Sequence, residues 1–280
     1  MLEFPDVPIF VEKLTVNSSN LRSRNAADYQ FIAPVVAAMA KEFAQGTSSA
    51  MHSHPRAQLI FAPKGVMRVT TQKGFWLLPP LRALWVPAGV LHTTVAVSHV
   101  DMRTLYVDMQ AASGLWPDCQ VIEVSSLLRE LILSLTAEPM VYGQNERGGR
   151  IASLILSELP YAQTIPTQIP WPRDRRLVSV CERIMEEPGR NAALRAWADA
   201  VGASERTLIR LFQSELGMNY RQWVQQVRLA DAVCRLSMGE SIAHIARELG
   251  YRSPSAFSYM FRRVMGLAPT AYLGDKRDNH

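Results

Sequence analysis

Cysteine is scarce: Cys119, Cys181 and Cys234 are the only three in 280 residues. Their wide spacing and odd number exclude a zinc pattern and a disulfide framework, so reduced and mostly buried thiols are expected. Long apolar runs are also missing. None approaches the ~18–20 residues that cross a bilayer, and no membrane partner is expected. The start, MLEFPDVPIF, lacks a basic segment followed by an apolar one. It does not read as a signal peptide, which makes the cytoplasm the expected location. Lysine is nearly absent from residues 171–280, where 16 of 17 basic residues are arginine.

What is present is an ordinary globular balance, 48% hydrophobic and 20% charged, at a length that suits two domains. The net charge of +5 is unevenly placed. Residues 171–280 hold 17 Lys+Arg against 12 Asp+Glu, while residues 1–170 hold 13 of each. Arginine offers a planar donor fork that suits phosphate and guanine edges. A plain solvated surface has the same charge, so motifs must decide.

Residues 1–30 are polar without a clear period and are expected to form a poorly ordered arm. Seven short apolar runs follow, at 34–43, 57–62, 66–71, 75–78, 83–86, 93–97 and 102–107. Gly and Pro punctuate them, which predicts a β sandwich or barrel over 31–120. Over 121–159 the period becomes helical. Leu127, Leu128, Leu131, Ile132 and Leu135 make one stripe, with Ser125 or Ser126 as N-cap, and Ile151, Leu154, Ile155 and Leu159 make another. Their apolar faces can pack on the barrel or pair with a second subunit, and a homodimer is expected. The stretch LPYAQTIPTQIPWP at 159–172 holds four prolines, so 160–172 reads as an extended linker. Residues 173–280 are helical in texture, beginning with the stripe Leu177, Val180, Cys181 and Ile184.

The informative feature is a duplication. Leu194, Trp197, Ala198 and Val201 share a helix face, followed by Gly202, Ser204, Leu208, Leu211, Phe212 and Gly217. About 49 residues on come Ile242, Ile245, Ala246, Leu249, Gly250, Ser253, Phe257, Phe261 and Gly266, and Trp223 is matched by Tyr272. Each copy reads as helix-turn-helix, at about 194–215 and 242–265. Gly takes the left-handed angle that ends the first helix, and Ser caps the second. Leu208 with Phe212, or Phe257 with Phe261, turns inward at i, i+4, which leaves the opposite face free for the major groove. Between the copies, 219–236 lacks Pro and Gly. A continuous helix of about 17 residues spans roughly 26 Å, the right order to hold two reading helices on grooves about 34 Å apart.

Residues from about 174 to 273 resemble the DNA-binding domain of the AraC/XylS family of transcription regulators. The stretch IAHIARELGYRSPSAFSYMFRRVMGLAP at 242–269 carries the resemblance most specifically. The resemblance implies a double-stranded DNA operator as partner, and RNA polymerase if the protein activates. Base-reaching positions would be Arg206, Ile209 and Arg210 in the first reading helix, and Pro254, Ser255, Ser258 and Tyr259 in the second, with Ser204 and Ser253 at the helix starts. The family often has Arg where Tyr259 stands, so the second helix is expected to grip phosphate mainly, through Arg262 and Arg263.

HSHPRAQ at 52–58, then Gly65 and PAGVLH at 87–92, resemble the two motifs of the cupin barrel. The implied fold is an α+β multidomain chain: a cupin-like β-barrel with two helices, then an all-α domain of two helix-turn-helix units joined by a linker helix. In cupins such residues converge on one metal, here His52, His54, Gln58 and His92. Three imidazoles and an amide oxygen would suit a divalent transition metal. The alternative is that these side chains line an effector pocket or are satisfied core histidines. Phe61, Met67, Trp76, Trp85 and Tyr106 are candidate walls for a small-molecule effector, against a reading as plain core. Arg56, Arg82 and Arg103 are candidates to pair an anionic ligand, against a reading as surface arginines.

The expected function is therefore a sequence-specific regulator whose barrel senses a small molecule or metal, with activation and repression both open. A metal-dependent cupin enzyme with an accessory DNA-binding domain is the alternative. Against it, no Asp or Glu stands inside the histidine motif to act as a base. A constitutive architectural binder is the third reading, and would show a steep salt slope without sequence preference.

Overall fold

The computed structural model describes residues 22–165, 169–265 and 268–270. Of the expected features, residues 1–21 of the arm, 166–168 of the linker, Gly266 and Tyr272 lie outside the described residues.

All seven apolar runs are strands: β1 (Val36–Phe43), β2 (Ala57–Lys64), β3 (Met67–Thr71), β4 (Gly74–Leu78), β5 (Arg82–Val86), β6 (His92–Ala96) and β7 (Val100–Val107). Three more join them, β8 (Gln120–Glu123), β9 (Thr164–Ile165) and β10 (Ile169–Pro170). They pair as two separate antiparallel sheets, ordered β1-β7-β2-β5-β8-β9 and β10-β4-β3-β6. This two-sheet arrangement agrees with the expected sandwich or barrel in its antiparallel sheets, and among the described residues no closed barrel is formed. The short strands β3, β4 and β6 satisfy their ladders among themselves, and isolated bridges Ser48↔Val95 and His52↔His92 extend the edge at β6.

Strand alternation sorts the side chains into layers. From β2, Ile60 and Ala62 face Met67, Val69, Trp76 and Leu78 of the second sheet in one core. Leu59 and Phe61 face the other way, with Trp85 and Leu105, onto two helices. A short α1 (Met109–Ala112) precedes β8, and these two helices are α2 (Ser126–Ala137) and α3 (Arg147–Glu158). Ser125 caps α2, its hydroxyl accepting from Leu128 N–H at 3.1 Å. The stripe Leu128, Leu131, Ile132 and Leu135 is buried, while Leu127 and Leu154 remain about half exposed.

The linker differs from expectation. It is extended, but not free: β9 adds to β8 and β10 adds to β4, so it is stitched into both sheets. The arm differs too. Tyr29, in a short 3-10 turn, is 1% exposed and stacks 6.0 Å from Tyr106. Arg56 holds the following segment by donating to the carbonyls of Gln30, Ile32 and Pro34. A buried guanidinium needs such partners, so Arg56 is neither a surface arginine nor available to an anionic ligand.

Beyond Pro170 come α4 (Arg175–Glu186), α5 (Leu194–Ala200), α6 (Glu205–Leu216), α7 (Tyr220–Ser237), α8 (Ile242–Glu248) and α9 (Pro254–Met265). α7 is one helix of 18 residues, about 27 Å long. Asn219 starts it in a capping box with Gln222. The outer side of the four-stranded sheet meets this region, since Phe75 of β4 and Ile169 of β10 share a core with α4 to α7. The three cysteines are thiols rather than disulfide partners, and burial raises the pKa of each, of Cys119 to about 11 and of Cys234 to about 12.

Candidate ligand chamber and nucleic-acid interface

His52 and His54 precede β2, and His92 opens β6. The bridge between His52 and His92 is made by reciprocal backbone bonds of 3.0 and 2.8 Å. Gly89 N–H donates to His54 O at 2.8 Å, which brings the PAG turn onto the His-x-His segment. The three rings stand 4.4 to 5.6 Å apart, and one ligand atom from each falls within 4.8 Å of the others.

The ring tautomers follow from the backbone. His52 Nδ1 lies 2.8 Å from Ala50 O, and His92 Nδ1 lies 2.9 Å from Val90 O. A carbonyl only accepts, so Nδ1–H is the donor in each ring, and in the neutral form the lone pair is then on Nε2. Burial, with His52 and His92 nearby, pushes His54 down to about 4. Burial also lowers His92, against the Val90 carbonyl bond. Both rings are therefore neutral near pH 7.

Three buried polar atoms here have no hydrogen-bond partner: His54 Nε2, His92 Nε2 and Gln58 Oε1. Thr104 Oγ1 donates to Leu59 O at 3.1 Å, so it must accept from Gln58 Nε2 at 3.0 Å. That fixes the amide and leaves its oxygen as the orphan. Unpaired buried acceptors are costly, and such a set calls for a ligand. Three imidazoles with a ligand atom each within 4.8 Å of the others fit a divalent transition metal, with Gln58 on β2.

The five expected wall residues are all buried but divide between two cores. Met67, Trp76 and Tyr106 lie between the sheets, and the Tyr106 ring is 5.0 Å from His54. Phe61 and Trp85 lie on the helix side, because their strand positions have the opposite parity. The remaining arginines are committed elsewhere, Arg82 to Glu123 and Arg103 to Asp101. Sequence reasoning missed the Tyr29–Tyr106 stack. Its only signal was an isolated tyrosine within a polar arm.

The two helix-turn-helix units form as the repeat predicts. Gly202 and Gly250 take φ +63° and +74°, ending α5 and α8 in the left-handed region. Ser204 Oγ accepts from Thr207 N–H, and Ser253 Oγ from Ala256 N–H, both at 3.1 Å. Leu208, Phe212, Phe257 and Phe261 are fully buried. Outward on α6 stand Arg206, Ile209 and Arg210. Outward on α9 stand Pro254, Ser255, Tyr259, Arg262 and Arg263, with Ser258 half-buried. A cleft of about 910 Å³ opens between the units, lined among others by Arg190, Ile209, Arg221, Arg228 and Tyr251.

A β-sheet domain with a buried histidine cluster, joined to two such units, has the make-up of a transcription regulator with a sensor domain. Residues 38–162 match the AraC-like ligand binding domain, and 197–275 match a helix-turn-helix domain. The chain is 30% identical over 226 residues to the HTH-type transcriptional regulator NimR of Escherichia coli K12, covering 81% of this chain and 82% of that protein. It is 28% identical over 112 residues to the HTH-type transcriptional regulator RipA of Corynebacterium glutamicum, covering 40% of this chain and 34% of that one. A solved structure of ToxT from Vibrio cholerae is 12% identical with a TM-score of 0.37, covering 86% of this chain and 98% of that one. A likeness that loose carries no functional weight. The chain belongs to the AraC family: it is a DNA-binding transcription regulator with an N-terminal ligand-binding domain, and not an enzyme. Among the described residues, no helix is long and apolar enough to cross a membrane.

Proposed function

We propose that the chamber takes a small-molecule effector together with a divalent transition metal, and that occupancy changes how the first helix-turn-helix unit engages its operator. One line of paired residues carries this reading. His92 pairs with Thr71 across β6 and β3, Thr71 with Gly74 across β3 and β4, and Gly74 with Pro170 across β4 and β10. Pro170 O then accepts from Trp223 Nε1 at 3.1 Å, and the Trp223 ring stands 6.2 Å from Phe212 of α6. A shift at the histidines is thereby handed to the core beneath the first reading helix. For this to be allostery, the ligand must bind two arrangements with different affinity.

In this reading His52, His54 and His92 hold the metal, with Gln58 as a fourth donor. The metal, when bound, supplies a Lewis-acidic anchor for the effector. Arg206, Ile209 and Arg210 reach bases, and Arg210 can fork onto guanine O6 and N7. Ser204 and Ser253, with Pro254, Ser255, Ser258, Tyr259 and Arg262, lie along the second contact surface and the helix starts. The arginine-lined cleft seats the DNA backbone between the two grooves. The exposed Leu127 and Leu154 make α2 and α3 the pairing face of a homodimer, and RNA polymerase is a further partner if the protein activates.

The test begins with genome-wide binding-site mapping to supply the operator. Operator affinity of the full chain is then measured with and without Zn²⁺, for the native protein and for Trp223→Phe. We expect a metal-dependent change that shrinks in Trp223→Phe. Identical affinity in all four cases would remove the coupling.

A further inference from the structure

We infer that the effector is a small carboxylate, held jointly by the metal and by Tyr106; this rests on the metal-binding reading proposed for the chamber. The first reason is charge. Among the described residues, the ligand atoms drawn together there come from three imidazoles, with no carboxylate or thiol. Gln58 adds only a neutral amide. A divalent ion in that set keeps both of its positive charges, and an uncompensated charge in a buried setting is costly. Metal sites that include Asp or Glu balance the ion internally. This one must be balanced by an anion from outside.

The second reason is where positive charge is otherwise found. Arg56 is spent on three backbone carbonyls, Arg82 on Glu123 and Arg103 on Asp101. Each of the three is already paired, though Arg82 keeps an unpartnered Nε; the metal is the positive group set among the three histidines, and it attracts the anion.

The third reason is a waiting donor. Tyr106 is 1% exposed, and its ring lies 5.0 Å from that of His54. Its oxygen accepts from Gln58 Nε2 at 3.4 Å, which leaves its own O–H to give. A carboxylate has two oxygens at fixed separation. One can sit on the metal while the other accepts from Tyr106, and a charge-assisted bond of that kind is among the stronger ones. A neutral ligand of the same shape gains neither the charge balance nor that bond.

The probe is Co²⁺ bound to the full-length protein, titrated with acetate and, as its neutral isostere, acetamide. Cobalt content is measured separately. Acetate is expected to shift the visible Co²⁺ bands to saturation, and acetamide to leave them unchanged. Tyr106→Phe should weaken acetate about tenfold at unchanged cobalt content, the loss of one bond to a charged group. Equal responses to acetate and acetamide, or no response from protein that holds cobalt, would overturn the inference and leave the metal reading standing. If the native protein takes up no more cobalt than a His52→Ala, His92→Ala double variant, the metal reading falls and this one with it. Should Tyr106→Phe fail to fold, the acetate–acetamide difference on the native protein decides.

Discussion

The first helix-turn-helix unit shares its core with the ligand-binding domain, whereas the second closes its core on α7. Around α5 and α6, Trp197, Leu208 and Phe212 pack with α4, with Trp223 of α7, and with Phe75 and Ile169 from the four-stranded sheet. Around α8 and α9, Ile245, Phe257 and Phe261 pack with Leu229, Ala232, Val233 and Leu236 from the other half of α7. One helix thus serves two cores end to end. The second unit has another tie, to the loop after α4. Asn191 Nδ2 donates to Gly250 O at 3.1 Å, and Arg228 donates to Asn191 Oδ1 at 2.8 Å and Pro188 O at 2.7 Å. One sequence motif, used twice, therefore yields one unit seated on the sensor and one held by a backbone bracket. In that arrangement α7 and the bracket link the sensor to the second reading helix.

The largest expected effects come from emptying the two cores. Trp223→Ala and Phe257→Ala should each cost about 3–5 kcal/mol, read as a fall in the unfolding midpoint. The difference lies in where protection is lost. Hydrogen exchange should rise in α6 and in β4 and β10 for Trp223→Ala, but in α8 and α9 alone for Phe257→Ala. If Phe257→Ala also loosens β4, the proposed separation of the units is wrong.

Next in size is a contrast between the two turns. A Cβ on Gly202 would meet nothing within 4 Å, while one on Gly250 would lie 2.5 Å from Gly189 O. Gly202→Ala should cost about 1–2 kcal/mol, the left-handed penalty alone. Gly250→Ala carries that penalty and must also displace the bracket, so its chemical-denaturation loss should be clearly larger. Equal losses would mean that the bracket yields freely.

Smaller again are the effects on DNA. Arg210→Ala should weaken the specific operator by about 1–3 kcal/mol and relax preference at one base, whereas Arg262→Ala should weaken all sequences alike and lower the salt slope by about 1. Anisotropy titrations at several salt concentrations separate the two. A uniform loss for Arg210→Ala would make it a phosphate contact. The smallest pair is the caps. Ser204→Ala and Ser253→Ala should each cost about 1 kcal/mol in thermal unfolding. A negligible loss at either would show that water replaces that hydroxyl.

Much of the helical region was legible because its signals are local. A left-handed glycine, a capping serine and an i, i+4 pair such as Phe257 and Phe261 each act within a few residues, so spacing alone reports them. The seven strand runs were legible for the same reason. The histidines were legible as a motif, since His52 and His54 are two apart and His92 follows a tight turn. Their orphaned nitrogens were not, because a missing partner is a property of the whole neighbourhood.

By itself the sequence determined seven of the strands, the main helices, the duplicated helix-turn-helix pattern and the residue types of the histidine cluster. Each rests on short-range periodicity, capping or composition, whereas the family came from the resemblance of the 242–269 stretch. Tertiary structure alone decided that the strands make two sheets, that Phe61 and Trp85 face away from the histidines, and that Arg56 is buried on carbonyls. It also turned the proline-rich linker into edge strands of both sheets and set Trp171 6.0 Å from Phe75 and 6.5 Å from Trp223. Those outcomes depend on which distant backbone groups and rings remain to be paired after each local element has formed, and spacing along one chain does not record that.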